Sequence, residues 1–317
     1  MDTKSLVSVI IPAYNAQEFI VEALNSIIAQ TYDNIEIIVV DDGSSDDTSQ
    51  VVASYDSRVH IYHQSNSGTT AIPRNTGIMH SSGDFLCFLD ADDLMVPDRI
   101  SFQVDFMERY PHVGIVFCDY RNFNKDGFYS ESHFQTCPHL WSQLRDQREL
   151  ILENPCALLA QENFGIAGSI MIRKNTLRFQ PGFDLTLRSC EDFHFYYSTA
   201  RYVHAGVINK VGMMRRIHEK NKTGNTVKML SEGIHSRTLL RDSEKDPKIR
   251  AYLNRYIAGC HGSLARYYAD HGQFIQSLRC DLQVLSGPFY WPQLRATCRN
   301  ITRTIIMASG LHKPKKL

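Results

Sequence analysis

Two apolar runs in this chain stop abruptly on carboxylates. Residues 34–40 end on Asp41-Asp42-Gly43-Ser44-Ser45, and residues 85–89 end on Asp90-Ala91-Asp92-Asp93. Both runs have strand length; 85–89 is apolar on both faces and 34–40 mostly so, as strands inside a parallel sheet are. Ligands of open parallel sheets bind outside the carboxyl ends of the strands. Three aspartates crowded at such an end repel one another unless a cation or hydrogen-bond donors sit among them. A divalent metal sharing a phosphate satisfies them. So does a helix start, since Asp92 or Asp93 can cap a helix opened by Pro97. Asp41 and Asp42 fit either a contact to the ring N–H of a base or an ordinary turn ahead of a capped helix.

Further groups extend the possible chemistry. Glu191-Asp192 heads an aromatic helical stretch, where the helix dipole favours a carboxylate and a cleft-facing one can act as general base. Capping explains the pair equally well. Arg74 is the one cation in residues 64–78. It can hydrogen-bond a phosphate or base edge, or lie on a helix surface. Arg216 and His218 alternate across Ile217 and so share one side of an extended segment. Both can meet a diphosphate and His218 can ligate a metal, although Lys220 and Lys222 nearby also fit an exposed basic loop.

These groups need a scaffold that brings distant stretches together. Residues 6–11, 34–40, 59–63 and 85–89 read as strands, separated by helical patterns over 15–28, 46–55 and 68–79. Asn15 and Glu18 resemble a capping box for the first helix. The alternation predicts a parallel three-layer sheet with right-handed crossovers, which gathers Tyr14, Asp41-Asp42 and Asp90 to Asp93 on one edge. A helix over 97–110 and a strand over 113–118 follow. Residues 119–165 form an irregular insertion, with 141–152 as a helix. Residues 164–172 and 207–213 read as strands. From about residue 228 helical periodicity takes over, at 229–240, 250–271 and 274–285, with Gly272 in a helix hairpin. This divides the chain into domains 1–227 and 228–317. The tail 294–317 is basic and partly apolar, and fits either a surface helix or an interfacial helix on anionic lipid.

Composition excludes several classes. Among 317 residues, Lys+Arg and Asp+Glu are both 34, so nothing in the net charge points to nucleic acid. No apolar run approaches bilayer length, and the N-terminus has no signal-peptide pattern. The eight cysteines stand singly without a CxxC pair, which leaves zinc and redox motifs unsupported and fits a reducing cytosol. GxGxxG and GxxxxGK[ST] are both absent.

Six stretches in fixed order, SVIIPAYN, EIIVVDDGSSDDT, NSGTTAIPRNTGI, GDFLCFLDADD, the Glu191-Asp192 pair and RRIH, resemble the family 2 glycosyltransferases of the GT-A fold over roughly residues 5–225. The resemblance implies an α/β, Rossmann-like three-layer and mostly parallel sheet with a C-terminal helical extension. It implies inverting transfer of a sugar from a nucleotide diphosphate donor, UDP by family habit, to a hydroxyl of a saccharide or lipid-linked saccharide, with Mn²⁺ or Mg²⁺ as cofactor. By the same resemblance, Asp192 is the catalytic base, and Pro12, Tyr14, Asp41, Asp42, Arg74, Asp90 and Arg216 contact the donor, with Asp42 favoured over Asp41. Asp92 and His218 meet the metal, and Asp93 keeps a capping role. Ile72-Pro73 stand where the family carries small residues. The QxxRW motif of processive members is absent, which implies transfer of one or a few sugars per encounter. A sugar nucleotidyltransferase would want a basic glycine-rich loop after the first strand, where PAYNAQEF stands. A non-catalytic binding module would be free to lose Asp92 or Asp192, and both are present. The expected location is cytoplasmic, with peripheral contact at the inner membrane face as an extension of it. The C-terminal helices fit an acceptor-binding, dimerising or merely packing role.

Overall fold

A computed structural model describes residues 4–128, 131–219, 221, 224–285 and 291–308. The chain divides into two compact units, Met1–Asn221 and Lys222–Leu317.

In the first unit, strands β1 (Val7–Ala13), β2 (Ile35–Asp41), β3 (Val59–His63) and β4 (Phe85–Phe88) alternate with helices α1 (Ile20–Ile28), α2 (Thr48–Ala53) and α3 (Ala71–His80). Then come β5 (Leu94–Met95), α4 (Arg99–Arg109), β6 (Val113–Asn124), β7 (Gly127–Phe128), α5 (Pro138–Leu144), β8 (Glu149–Leu152), α6 (Pro155–Leu159), β9 (Ile170–Arg173), α7 (Glu191–Ala200) and β10 (His204–Arg216). The sheet order is β3-β2-β1-β4-β9-β6-β10-β5. β3, β2, β1 and β4 are parallel, as is β10 with β6. β9 enters antiparallel between β4 and β6, so the sheet is mixed rather than wholly parallel.

Alternation along β1 sets the layers, because successive side chains of a strand point to opposite faces. Val7, Val9, Ile11 and Ala13 face a core shared with Ile20, Leu24 and Ile27 of α1 and Ile100, Val104 and Met107 of α4. Ile10 points to the other face, against α3. There a Cβ added at Gly77 would lie 2.3 Å from Ile10 Cγ2. Gly77→Ala must push α3 off β1. Overpacking costs about 1–3 kcal/mol, of which replacing a helical glycine returns up to about 1 kcal/mol. A net loss of about 1–2 kcal/mol is expected in urea unfolding, and an unchanged midpoint would show that the helix rides over the methyl freely.

Several local expectations are corrected. Asn15 does not cap α1, which starts at Ile20 behind Phe19; Asn15 takes a left-handed φ of 48°. It instead accepts at Oδ1 from Ser45 N at 2.8 Å, tying the end of β1 to the turn after β2. Residues 141–152 are not one helix, since α5 ends at Leu144 and residues 149–152 pair with β10 as an edge strand. The β-branched and leucine-rich ELIL segment is captured by a strand partner that local periodicity cannot reveal. Asp93 caps nothing; α4 follows Asp98, and Asp93 Oδ1 accepts from Arg216 N at 2.8 Å.

The second unit contains α8 (Thr226–Ser243), α9 (Pro247–Asp270), α10 (Phe274–Leu285) and α11 (Trp291–Ala308). α9 is its spine and packs on each of the other three. It opens with Asp246 accepting from Lys248 N at 2.7 Å and Pro247 in the first turn, a start that needs no donor from proline. Leu253, Ile257, Cys260 and Leu264 recur at helical spacing as its buried stripe. Gly272, at φ 73°, turns the chain into α10. Among the described residues no helix is long and apolar enough to cross a membrane. The basic end of the tail, residues 311–317, lies outside the described residues.

Candidate functional site

The site is assembled at the carboxyl edge of β1, β2 and β4. Pro12 lies in β1 opposite Val40, and Ala13 opposite Asp41, so Tyr14 and Asp42 leave the sheet side by side. Tyr14 is exposed, whereas Asp41 and Asp42 are buried. Asp41 accepts from Ser44 N at 3.0 Å and meets His63 Nδ1 at 3.4 Å. Asp42 is more heavily engaged. Gln64 Nε2 donates to its Oδ1 at 2.6 Å, and Ser67 donates through N at 3.1 Å and Oγ at 2.8 Å. These bonds draw residues 64–67 over the end of β2.

The link between distant motifs is Arg74, only 3% exposed on α3. Its guanidinium donates to Asp90 Oδ1 at 2.6 Å and to Glu191 Oε1 at 2.7 Å. It thereby ties the end of β4 to the first turn of α7. Burial alone would lower its pKa, but Asp90, Glu191 and Asp192 together reverse this and hold it above its ordinary value. Its neighbour Asn75 repeats the tie with a bidentate clasp on Phe183, donating to the carbonyl at 2.9 Å and accepting from the N–H at 2.8 Å. Phe183 stacks in turn on Phe195 of α7, with ring centroids 4.2 Å apart. Cys190 turns the chain into α7 through a left-handed φ of 58°.

Asp192 is half-buried. Phe193 N donates to its Oδ1 at 2.7 Å and Ala167 N to its Oδ2 at 3.3 Å. Burial first, and then the charge of Glu191, raise its carboxyl above the ordinary carboxylate value, with Arg74 pulling the other way.

A second cluster holds Asp92. Its Oδ2 lies 2.9 Å from His218 Nε2 and accepts from Asn221 Nδ2 at 3.3 Å. Burial, then the charge of Asp90, push its carboxyl upward, while the His218 contact opposes them. His218 packs on Phe19 at 4.7 Å, and its Nδ1 is buried without a hydrogen-bond partner among the described residues. Arg216 lies between Phe19 and Phe123, donating to the Asp92 carbonyl at 2.9 Å and to Glu22 at 2.8 Å. A cleft of about 430 Å³ opens here, lined by Phe19, Asn124, Lys125, Arg216 and His218.

The carboxylate of Asp92 and the imidazole of His218 make a donor pair suited to a hard divalent ion. Among the described residues no set of three such side chains converges. Two protein ligands nevertheless suffice for Mg²⁺ or Mn²⁺ bound partly through substrate phosphates and water. The residues present therefore fit the metal.

The structure gathers the anticipated Arg74, Asp90 and Asp192 around Glu191, and Asp92, His218 and Arg216 in a second group, joined by the short segment 90–92; Pro12, Tyr14, Asp41 and Asp42 stand together at the ends of β1 and β2. Sequence reasoning singled out Asp192 and overlooked Glu191 as the partner of Arg74. It also missed Phe19, Glu22, Asn75, Asn221, Gln64 and Ser67. Glu191 and Asn75, adjacent to Asp192 and Arg74 and inside the quoted motifs, left a usable signal. The others act by contacts between remote segments.

Residues 8–176 match the model of the family described as Glycosyl transferase family 2. An uncharacterized glycosyltransferase of Rickettsia typhi is 30% identical over 229 residues, 72% of this chain and 69% of that protein. One of Rickettsia felis is 41% identical over 133 residues, 41% of this chain but only 21% of the relative's length. Among solved structures, S. aureus TarS 1–349 in complex with UDP-GlcNAc aligns with TM-score 0.68 at 20% identity, covering 96% of this chain and 91% of that one. The mannosyltransferase PcManGT of Pyrobaculum calidifontis, in complex with GDP-Man and Mn²⁺, aligns with TM-score 0.62 at 17% identity, covering 98% and 89%. At such identities these likenesses establish the fold, the GT-A type with its mostly parallel sheet. With the family model matched over more than half the chain, the conclusion is that this chain belongs to the family 2 glycosyltransferases.

Proposed function

We propose that the chain transfers a hexosyl or N-acetylhexosaminyl group, with inversion, from a nucleotide diphosphate sugar to a hydroxyl of a saccharide or lipid-linked saccharide. The observation that carries this reading is the Arg74 bridge, which holds Asp90, just past the end of β4, and Glu191 of α7 on one guanidinium. It sets Asp192 and the Asp92–His218 pair at one sheet edge, where a base and a diphosphate site can flank one sugar. The family membership and the UDP-GlcNAc of the TarS complex favour UDP as the nucleotide.

Each residue then has a role. Pro12, Tyr14 and Asp41 wall the nucleoside. Asp42, held by Gln64 and Ser67, is the one of the pair favoured for the ring N–H of the base. Asp90 faces the ribose or diphosphate. Asp192 takes the proton from the acceptor hydroxyl. The freed oxygen attacks the anomeric carbon from the face opposite the diphosphate. The bond to the diphosphate breaks, and that group leaves with the electron pair. Arg216 adds positive charge beside the leaving group. Asp92 and His218 would hold Mn²⁺ or Mg²⁺, which supplies further neutralisation of diphosphate charge when bound. The cleft beside His218, lined partly by Asn124 and Lys125 from the 119–165 insertion, receives the acceptor side. A cytoplasmic enzyme acting on membrane-linked acceptors fits this reading.

A turnover screen of UDP- and GDP-sugars with Mn²⁺ and Mg²⁺ tests it, with at least one donor expected to be hydrolysed or transferred. If no donor binds or turns over with either metal, the transferase reading fails. Chelation should remove turnover and added Mn²⁺ restore it. His218→Ala should raise the Mn²⁺ needed for half-activation by at least about tenfold, since even outer partners of metal ligands carry about 10–100-fold in affinity. An unchanged Mn²⁺ titration would take His218 out of the metal site.

A further inference from the structure

The zero net charge of the chain hides a division. Residues 222–317 hold sixteen Lys and Arg against six Asp and Glu, whereas residues 1–221 hold eighteen against twenty-eight. A formal charge of +10 on the second unit thus cancels −10 on the first. A one-sided excess of this size points to an anionic partner for the second unit. The excess is concentrated at its end, since residues 282–317 contain six Lys and Arg and no Asp or Glu.

α11 presents part of this charge together with apolar surface. Its buried stripe is Thr297, Asn300 and Thr304, of which Asn300 and Thr304 meet Ser277 of α10. On the outer side Arg295, Arg299 and Arg303 recur every fourth residue, all exposed. Ile306, 40% exposed, follows Arg299 and Arg303 at helical spacing, so cation and aliphatic chain share one face. Ile305 beside it is 56% exposed. Single exposed apolar residues are ordinary. Here, among the described residues, every exposed isoleucine lies in α10 or α11.

The pairing selects the partner. A soluble polyanion would satisfy the arginines and leave the isoleucines in water. An anionic bilayer surface satisfies both, with headgroup phosphates on the guanidinium forks and aliphatic chains in the boundary between headgroups and acyl chains. We propose that the second unit docks on an anionic lipid surface through the outer face of α11. That this brings the active site to a lipid-linked acceptor rests on the transferase reading; the lipid binding itself does not.

Co-sedimentation of the full chain with vesicles tests this, with neither nucleotide nor sugar present. Vesicles of phosphatidylglycerol and phosphatidylcholine should carry the chain down, and phosphatidylcholine alone should not. Binding should fall as salt rises, because exposed charges are screened. Arg295→Gln with Arg299→Gln should weaken it about tenfold or more, since each cation near an anionic surface is worth about fivefold. Arg303 is left in place because it donates to Asp270 at 2.6 Å. Ile305→Gln with Ile306→Gln should weaken binding to a similar extent at unchanged charge. Both pairs replace exposed side chains, so the circular dichroism spectrum should stay as in the wild type. The proposal is overturned if anionic vesicles do not bind the chain or neutral ones bind it equally. It is overturned too if the isoleucine variant binds vesicles like the wild type, which with tight binding to heparin would mark a site for a soluble polyanion. A dimer in solution that the isoleucine variant converts to monomer also overturns it, making the face a contact between copies. Because no donor enters the experiment, its outcome is separable from that of the donor screen.

Discussion

Asp192→Asn is expected to lower sugar transfer by about 10²–10⁴-fold, the usual worth of a positioned general base, while donor affinity stays nearly unchanged. The amide keeps the shape, and its one oxygen can still accept from Phe193 N, the shorter of the two backbone bonds to the carboxylate, while the longer one from Ala167 N is lost. What it loses is the capacity to take a proton. The wild-type pH profile carries the same signature. A base works only when deprotonated, and burial together with Glu191 raises the Asp192 carboxyl above the ordinary carboxylate value. The acid limb of kcat/KM should therefore fall at a higher pH than an exposed aspartate would give, and activity should be lost as pH drops through it. In Glu191→Gln one raising charge is gone, so the limb should move to lower pH. Calorimetry of donor binding alongside initial rates separates the two quantities. Near-normal transfer by Asp192→Asn would remove it from the base role.

The second large effect belongs to Arg74. Arg74→Met should cost stability and transfer together. Removing one partner of a buried ion pair costs about 3–5 kcal/mol, because the charge left behind is stranded. The lower end applies here. Glu191, with a side chain 7% exposed, is trapped without its cation, but Asp90, at 43%, can turn to water. A loss of about 3 kcal/mol in urea unfolding is expected, with transfer reduced even where the variant is fully folded, because β4 and α7 lose their common tie. Arg74→Lys should recover charge but not the fork, since a single ammonium cannot hold two carboxylates in the geometry a guanidinium does. It should restore much of the stability and little of the rate. Full activity in Arg74→Lys would reduce the residue to a stabilising charge.

The two kinds of test differ in what they ask of the residue. Asp192 is read through chemistry alone, and Arg74 through geometry delivered at a distance. Arg74 is 3% exposed and holds Asp90 at 2.6 Å, so the expected effect of its loss runs through where Asp90 stands.

The local pattern of the chain already determined most of the scaffold. Runs of two-faced apolar residues alternating with 3.6-residue periodicity are set by burial in a parallel sheet, and β1 to β4 stand within two residues of where that pattern put them. The same pattern placed Tyr14, Asp41-Asp42 and Asp90 to Asp93 at one edge, because parallel strands all end on the same side. The order of six short motifs pointed to the family. What tertiary structure alone decided are partnerships between segments far apart in the chain. The partner of Arg74 is Glu191, 117 residues away, and that of Asp92 is His218, 126 residues away. Asp93 is spent on the Arg216 backbone rather than on a helix cap. β9 runs antiparallel, and ELIL is a strand. Periodicity records which face of an element is buried, not which charge waits on the other side of the interface. For a buried ion that partner is everything, since its energy changes sign between a paired and an unpaired environment.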